Sequence, residues 1–436
     1  MSRWYALGLC ALLGACAPAQ LRREDLPPEC LTPDHAALLD AAARSLFLVP
    51  YKPGRVYDVD AQNRPVPFAL VHLASDALAV LSYPDPQRFS GGGADLAQLA
   101  HRSFLYDNAL AVLWLSHSGD LDRARRLLAT VAALQRPDGA WGFGFNTGSE
   151  DGFYNAAYVR TGTVAWVVYA LAHYRQASHD PRFDATAERA IRWLLAQRAA
   201  SPSGRQEADG VLFQGGSGRW VDTSHFEPDW PACFAATEHQ IDVWFALRAS
   251  SLAWPQLAHT VGLEHVAQQL AAGLQRWLRH ADEPRYVQGT PADLTGVCDP
   301  ESALDAAGTW SALWELAMGK AAGARELLAW VDAHHALDVH GWPGLRPYLD
   351  QGPATWFVEG SIARPLALWR LGEHRAAHAA WQPLLQLACM GGLPLVYAPD
   401  WHPDFPLTPA AAPTLWLLMA GQEIDAHGQP WLWAER

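Results

Sequence analysis

The chain has 436 residues, a length that suits one large domain or two to three average ones. Half of its residues are apolar and 18% are charged, which excludes a disordered, collagen-like or coiled-coil protein. The formal charge is −13 and no run of Lys or Arg occurs, so we expect no nucleic-acid partner. Tryptophan is unusually frequent, with 21 residues, and rings that the core does not use can stack on sugar faces.

The first twenty residues have the pattern of a sorting signal. Arg3 is followed by an apolar stretch over 4–13, which is too short to span a bilayer. The tetrapeptide Leu13-Gly14-Ala15-Cys16 resembles the bacterial lipobox, which implies cleavage before Cys16 and lipidation of its sulfur. The alternative is an ordinary secretory signal that is cleaved a few residues later. Both interpretations predict export, the first as a lipid-anchored protein of the cell envelope, periplasmic or associated with the outer membrane.

The cysteines leave their pairing open. Once Cys10 is removed with the signal and Cys16 is lipidated, four widely spaced cysteines remain: Cys30, Cys233, Cys298 and Cys389. In an oxidising compartment they allow three pairings, and buried free thiols are an equal alternative. Because no C-x-x-C spacing is present, we expect no metal site, and nothing in the sequence requires an organic cofactor.

From Asp34 onward, two kinds of helical segment alternate. Amphipathic segments, with apolar residues on one face, are predicted over 36–48, 121–135, 183–197, 263–281, 321–335 and 374–388. Segments that are apolar nearly all round are predicted over 104–116, 163–173, 238–249, 303–317, 356–371 and 409–420. A helix that is apolar on every side must be buried on every side. The alternation therefore predicts an all-α fold, an (α/α)6 toroid of six helical hairpins with an inner and an outer ring.

This fold sets the domain boundaries and the place of the site. We expect a signal peptide over 1–15, a tether over 16–33 and one barrel domain over 34–436. Long loops lead into the buried helices at 50–103, 139–162, 200–236, 282–303 and 337–355, whereas the return loops at 117–120, 318–320 and 371–374 are tight. Long loops carry function more often than short ones, so we expect them to share one face and to build the site there.

Acidic residues stand in the first turns of the buried helices. They are Asp107, Glu238, Asp242, Asp305 and Glu359. Buried carboxylates are costly unless they are paired, and several that converge raise one another's pKa values. A protonated acid beside an ionised one is what glycosidic cleavage requires. The structural alternative for each acid is a favourable interaction with the positive end of a helix.

The acids differ in the roles that the sequence indicates. Glu359, followed by Gly360, is our candidate general acid, with Asp107 or Glu238 as the base and Asp305 in support. Asp242 lies one turn after Glu238 on the same helix face and is a candidate to orient a neighbour or to bind substrate.

Aromatic and basic residues near the acids are candidates for substrate binding. Trp141, Trp342 and Trp356 lie in or next to the loops, where they line a groove or belong to the core. Arg160 is placed to hold a carboxylate or to pair with the acids. His239 is a further candidate, because a His with Tyr or Arg supports the β-elimination that polysaccharide lyases perform.

The motifs around these acids resemble the bacterial six-hairpin glycosidase superfamily. They are Thr237-Glu238-His239-Gln240-Ile241-Asp242, Leu304-Asp305-Ala306-Ala307-Gly308-Thr309-Trp310, Trp356-Phe357-Val358-Glu359-Gly360 and Gly391-Gly392-Leu393-Pro394. The resemblance implies a carbohydrate ligand and a cleft at the helix mouths. The segment 135–141 also resembles the Q-x-x-D-G-x-W element of terpene cyclases, but no D-x-D-D motif accompanies it.

Together these features predict an exported, lipid-anchored glycoside hydrolase that acts on a polysaccharide or oligosaccharide. We expect a carbohydrate ligand, contact with the membrane only through the lipid, and an association with the envelope polysaccharide machinery. Two alternatives remain open: a non-catalytic lipoprotein of carbohydrate binding or exopolysaccharide assembly, and a polysaccharide lyase.

Overall fold

The computed structural model describes residues 22–44, 46–60, 62, 64–84, 99–148, 151–198, 210–222, 225–231, 234–291, 302–349, 354–390, 392–398 and 408–434. The predicted signal and Cys16 lie outside these residues, as do Cys233 and Cys298. Among the described residues, no helix has both the length and the apolar character needed to span a membrane.

Helices make up most of the described structure. In chain order they are α1 His35–Arg44, α2 Leu105–Ser118, α3 Leu121–Ala133, α4 Thr161–Ser178, α5 Asp184–Ala196, α6 Thr237–Ala253, α7 Pro255–Val261, α8 Leu263–Gly273, α9 Trp310–Ala317, α10 Ala321–His334, α11 Val358–Arg370, α12 His374–Cys389 and α13 Ala411–Ile424. Wider π-helical turns extend α8 over Leu274–Leu278 and precede α9 over Asp305–Thr309. Short helical turns cover Arg23–Asp25, Pro28–Leu31 and Pro181–Phe183.

The helices form two concentric rings. Helices α2, α4, α6, α9, α11 and α13 each contact the next, and α13 contacts α2, so the inner ring closes. The outer helices α3, α5, α8, α10 and α12 pack on the inner helix that precedes each of them, and α1 packs on α13. The prediction of an all-α (α/α)6 toroid is therefore confirmed.

Two outer helices end earlier than their patterns predict. Helix α1 stops at Arg44 because Phe47 adopts a positive φ of 51° and a strand begins at Leu48. Helix α8 loses its regular α geometry after Gly273, where the chain passes so close to Val211 that a Cβ atom would lie 2.3 Å from that residue's carbonyl oxygen. The apolar periodicity of the sequence continues past Arg44 and past Gly273, so the predicted helices are longer than the observed ones.

The three tight return loops have the same type of helix cap. Each contains a glycine with a left-handed φ: 84° at Gly119, 73° at Gly319 and 78° at Gly372. That conformation ends an inner helix and turns the chain back, and it strains any residue with a side chain. Only two or three residues separate α2 from α3, α9 from α10, and α11 from α12, as the sequence predicts.

The long loops are organised as short strands, which the sparse period-2 pattern did not reveal. They are β1 Leu48–Pro50, β2 Arg55–Val59, β3 Pro65–Pro67, β4 Leu78–Val80, β5 Arg102–Phe104, β6 Gly144–Asn146, β7 Asp151–Phe153, β8 Val159–Arg160, β9 Gly216–Asp222, β10 His225–Pro231, β11 Phe234–Ala236, β12 Gly289–Pro291, β13 Ala336–Val339, β14 Trp342–Leu345, β15 Trp356–Phe357 and β16 Val396–Tyr397. They pair in the orders β1-β4, β3-β2-β7, β5-β6, β10-β9-β8, β11-β12, β13-β14 and β15-β16; every pair is antiparallel except β2 with β7.

Four inner helices start directly at the end of a strand. β5 runs into α2, β8 into α4, β11 into α6 and β15 into α11, with no residue between. Each of these helices is preceded by an extended residue, at Phe104, Arg160, Ala236 and Phe357. The strands thereby fix the entry of the chain into the first helical turn, where the predicted acids stand.

The two ends of the described chain are tied to the ring. Cys30 and Cys389 form a disulfide across a sequence separation of 359 residues. The segment after α13 returns to the ring, where Trp431 stacks on His117 in the last turn of α2 with 3.9 Å between ring centroids. The buried side chain of Arg370 pairs with the fully buried Glu423 and donates to the carbonyl oxygen of Trp433. This C-terminal segment, residues 425–434, therefore fills the ring from the C-terminal ends of its helices.

We expect removal of the disulfide by Cys30→Ala with Cys389→Ala to lower stability by about 2–4 kcal/mol, because the bond restricts a very long loop in the unfolded chain. Thermal unfolding of the full chain under non-reducing conditions measures this. A reductant should lower the midpoint of the parent by more than that of the double variant. Equal midpoints for parent and double variant would contradict the role of this bond.

Candidate active site

The structure brings five predicted acids together at the mouth of the inner ring. Asp107 comes from α2, Glu238 and Asp242 from α6, Asp305 from the π turn before α9, and Glu359 from α11. These acids also interact electrostatically: the charges of Asp305, Asp242 and Glu359 raise the pKa of Glu238.

Glu238 and Asp305 form a carboxyl pair. Their side chains are hydrogen-bonded to each other. Desolvation within the cluster and the charge of Asp305 raise the pKa of Glu238 well above its usual value. Yet 39% of the Glu238 side chain is exposed, whereas Asp107 and Glu359 are buried residues. Glu238 is thus the acid that a ligand or a water molecule reaches most directly.

Glu359 accepts a hydrogen bond whose direction is fixed by a tryptophan. Trp416 Nε1 lies 2.7 Å from the Tyr106 hydroxyl, and that hydroxyl lies 2.7 Å from Glu359 Oε1. An indole N–H can only donate, so the single Tyr106 proton points to Glu359. Burial raises the pKa of Glu359 to about 8, against the opposing effect of the Tyr106 hydrogen bond; the charges of Asp107 and Asp305 add to the rise.

Asp107 lies beside Glu359 and is the more enclosed of the two. Burial raises its pKa to about 7, and a hydrogen bond with Ser82 opposes that rise. Only 4% of its surface is exposed. The charge of Asp107 helps to raise the pKa of Glu359.

The start of α4 packs closely against α6 at the site. A Cβ atom on Gly162 would lie 2.4 Å from His239 Cδ2 and 2.7 Å from Asp242 Oδ2, so only glycine permits this approach. Asp242 accepts a hydrogen bond from Trp166, and burial and the charge of Asp305 raise the pKa of Asp242 well above its usual value.

His239 is a neutral base at the edge of the carboxyl pair. Its Nε2 atom lies 3.6 Å from Glu238 Oε1. Burial, reinforced by the positive charge of Arg160, lowers the pKa of His239 to about 4. Arg160 thus lies close enough to influence the site, as its position before α4 suggested.

The three candidate tryptophans are not placed to line a groove. Trp141, Trp342 and Trp356 are at most 1% exposed. The Trp141 indole donates to the carbonyl oxygen of Val131, and Trp342 stacks on Trp356 with 6.2 Å between centroids. We therefore correct the interpretation of these residues as substrate contacts. In this structure the large rings next to the glycine turns are buried beneath the loops and belong to the core.

The cyclase-like element also has a structural role. Gln135 Nε2 donates to the carbonyl oxygens of Gly139 and Thr186, which fixes the turn between α3 and the loop. Its side-chain oxygen accepts from Arg189 on α5. The residues of this element thereby join neighbouring outer helices.

Sequence reasoning missed three residues that support the acids: Tyr106, Trp166 and Trp416. All lie inside the apolar inner helices and have the pattern of core residues. The only signal for Tyr106 is its position next to Asp107, in the same first turn. Among the described residues, no cluster of His, Cys, Asp and Glu is arranged to hold a metal ion.

The chain is similar in structure to several known proteins. Its structure is similar to that of a D-mannose isomerase, with a TM-score of 0.58 and 11% identity over 92% of this chain and 99% of that chain. It is also similar to a glycosidase in complex with glucose, with a TM-score of 0.54 and 13% identity over 93% of this chain and 99% of that one. A sugar epimerase from a ruminal bacterium gives a TM-score of 0.54 and 10% identity over 76% and 89% of the two chains.

These similarities define the fold class. The chain has the (α/α)6 toroid that these sugar isomerases, epimerases and glycosidases share. No protein-family model matches the sequence, and no curated protein matches it.

We expect Glu359→Gln to stabilise the protein at alkaline pH. The native pKa of Glu359, about 8, lies above the unfolded value of about 4.3, so the native state binds more protons between these limits and stability falls as pH rises through that window. Each unit of the raised pKa corresponds to about 1.4 kcal/mol. Unfolding midpoints should be similar for parent and variant at pH 5 and higher for the variant at pH 9.

Glu326→Gln is the matched control, because the Glu326 side chain is 63% exposed on the outer ring. It should follow the parent at both pH values. A Glu359→Gln variant that loses stability with pH as steeply as the parent would contradict the raised pKa of Glu359.

Proposed function

We propose that this protein is an exported, lipid-anchored glycoside hydrolase. The observation that carries the proposal is the partly exposed Glu238, hydrogen-bonded to the buried Asp305, next to a separate acid, Glu359, that keeps its proton near neutral pH. Two carboxyl functions in different protonation states are what acid and base catalysis of glycosidic cleavage needs. The similarity to a glycosidase in complex with glucose supports the choice of a sugar substrate.

The proposed mechanism gives each group one role. Glu359 keeps its proton near neutral pH and donates it to the glycosidic oxygen as the C1–O bond breaks. Glu238 acts as the base once it has released its own proton to solvent: its raised pKa makes its carboxylate a strong acceptor, which takes a proton from the water whose oxygen bonds to C1. Asp107 holds the pKa of Glu359 high, and Tyr106 orients that carboxyl.

We expect both Glu359→Gln and Glu238→Gln to reduce hydrolysis by at least about 100-fold, because each removes an acid or base from the reaction. The assay incubates the full chain with a panel of bacterial and plant glycans and measures new reducing ends. Glu326→Gln, on the outer ring, should keep the parent's rate. Unchanged turnover in Glu359→Gln would refute its role as the acid.

A second candidate function is sugar isomerisation or epimerisation. It is favoured by the neutral His239, whose Nε2 atom lies 3.6 Å from Glu238 and which has the protonation state of a base that removes a carbon-bound proton. Incubation of free sugars in D2O separates the two functions. Deuterium at C2 with no new reducing ends would favour isomerisation, and specific binding with neither product would favour a non-catalytic carbohydrate-binding protein.

The lipid anchor is proposed from the sequence of the first twenty residues. The Cys30–Cys389 disulfide supports export, because such bonds persist in oxidising compartments. We expect the full chain expressed in a bacterium to incorporate labelled palmitate and to fractionate with membranes, and Cys16→Ser to abolish both. Labelling that survives in Cys16→Ser would contradict the anchor, and Cys10→Ser, within the same predicted signal, is the control for a general effect of losing a cysteine.

A further inference from the structure

Arg160 is a half-buried arginine with no carboxylate partner in the described part of the chain. Its guanidinium lies over the Tyr158 ring, 3.8 Å from the centroid. Its Nη1 group donates to the carbonyl oxygens of Val159, Ser217 and Gly218 at 2.8, 3.1 and 3.2 Å. All three bonds come from Nη1, and Arg160 also forms a side-chain hydrogen bond with Tyr158, so the guanidinium is held in one orientation. A ligand carboxylate would pair with the Nε and Nη2 edge of the fork.

The arginine lies at the proposed site and not on a distant surface. Its charge contributes to the lowered pKa of His239, and Gly162, two residues further along, touches both His239 and Asp242. His239 in turn lies 3.6 Å from Glu238. Arg160 therefore acts electrostatically on a residue that lies next to Glu238.

A row of aromatic rings connects the arginine with the other end of the acid cluster. It runs from Tyr83 through Phe104 and Phe143 to Tyr158, with centroids 6.3, 5.2 and 5.5 Å apart. Phe104, Phe143 and Tyr158 are partly exposed, and Tyr83 is close enough for the charges of Asp107 and Glu359 to affect it. Such a row offers apolar surface to the faces of sugar rings along one side of the acids.

We propose, on the basis of the hydrolase function above, that the substrate is an acidic glycan, whose uronic acid carboxylate pairs with Arg160 while the sugar ring packs against the aromatic row. An arginine fork pairs with a planar carboxylate through parallel hydrogen bonds, and stacking on Tyr158 holds the fork in one orientation. The raised pKa values of Glu359 and Glu238 at the mouth reduce the repulsion that an anionic sugar would meet there.

The test measures binding, so that it does not depend on turnover. The full chain carrying Glu359→Gln is titrated with the methyl glycosides of glucuronic, galacturonic and mannuronic acid, each beside its neutral hexoside, by calorimetry. At least one uronide should bind roughly tenfold or more tightly than its neutral counterpart, as expected for a charge-assisted pair. Adding Arg160→Gln should remove this preference, whereas Arg160→Lys should retain part of it.

Arg192→Gln is the matched control, because Arg192 is an exposed arginine on the outer helix α5 that pairs with Glu188. It should leave the uronide preference unchanged, and unfolding midpoints establish that each variant is folded. If Arg160→Gln does not fold, Arg160→Lys provides the comparison. Equal affinity for acidic and neutral glycosides, no binding of any uronide, or a preference that survives in Arg160→Gln would overturn the inference.

The two proposals fail in different ways. Hydrolysis of a neutral glycan without any preference for uronides would refute the acidic substrate and leave the hydrolase standing. A uronide preference that depends on Arg160, with no release of reducing ends from any acidic glycan by the parent chain, would refute the hydrolase and leave the acidic ligand standing.

Discussion

The crowding of carboxyl groups at the mouth of the inner ring is the constraint that organises this molecule. Several acids from different helices cannot all be ionised within one desolvated region, because each charge raises the pKa values of the others. The structure meets this constraint with hydrogen bonds: Ser82 to Asp107, Tyr106 to Glu359, and Trp166 to Asp242. What remains is a set of acids with raised pKa values and different hydrogen-bond partners, and these differences are the chemical capacity of the site.

Closure of the ring is what makes this crowding possible. An acid in the first turn of one helix meets acids from other hairpins only if all the inner helices present the same end to the same mouth. The contact between α13 and α2 closes the circle. The disulfide and the ion pair of Arg370 with Glu423 then tie the two ends of the described chain to it. The chemistry of the site therefore depends on the closure of the ring, although the residues responsible for the two lie far apart in the sequence.

The sequence predicts the frame of this structure better than its details. The alternation of apolar and amphipathic segments locates all twelve ring helices, because the burial of a helix produces a detectable periodicity of apolar residues in its sequence. It does not reveal the strands that begin α2 or α6, since strands of two or three residues are too short to show a period. Nor does it distinguish Tyr106 and Trp416 from core residues, because their role depends on a hydrogen bond between helices that are 310 positions apart in sequence.

The tryptophan content has an explanation in the same geometry. Trp433 of the C-terminal segment stacks on Trp166 with 5.1 Å between centroids, and Trp166 donates to Asp242. Trp310 stacks on Trp416, which donates to Tyr106 and thereby orients Glu359. A large ring that carries one N–H group fills the ring interior and still supplies a donor at its edge. Because the indole donor of Trp416 cannot accept, it fixes the direction of the hydrogen bond from Tyr106 to Glu359, and the packing of the core thereby determines where that proton points.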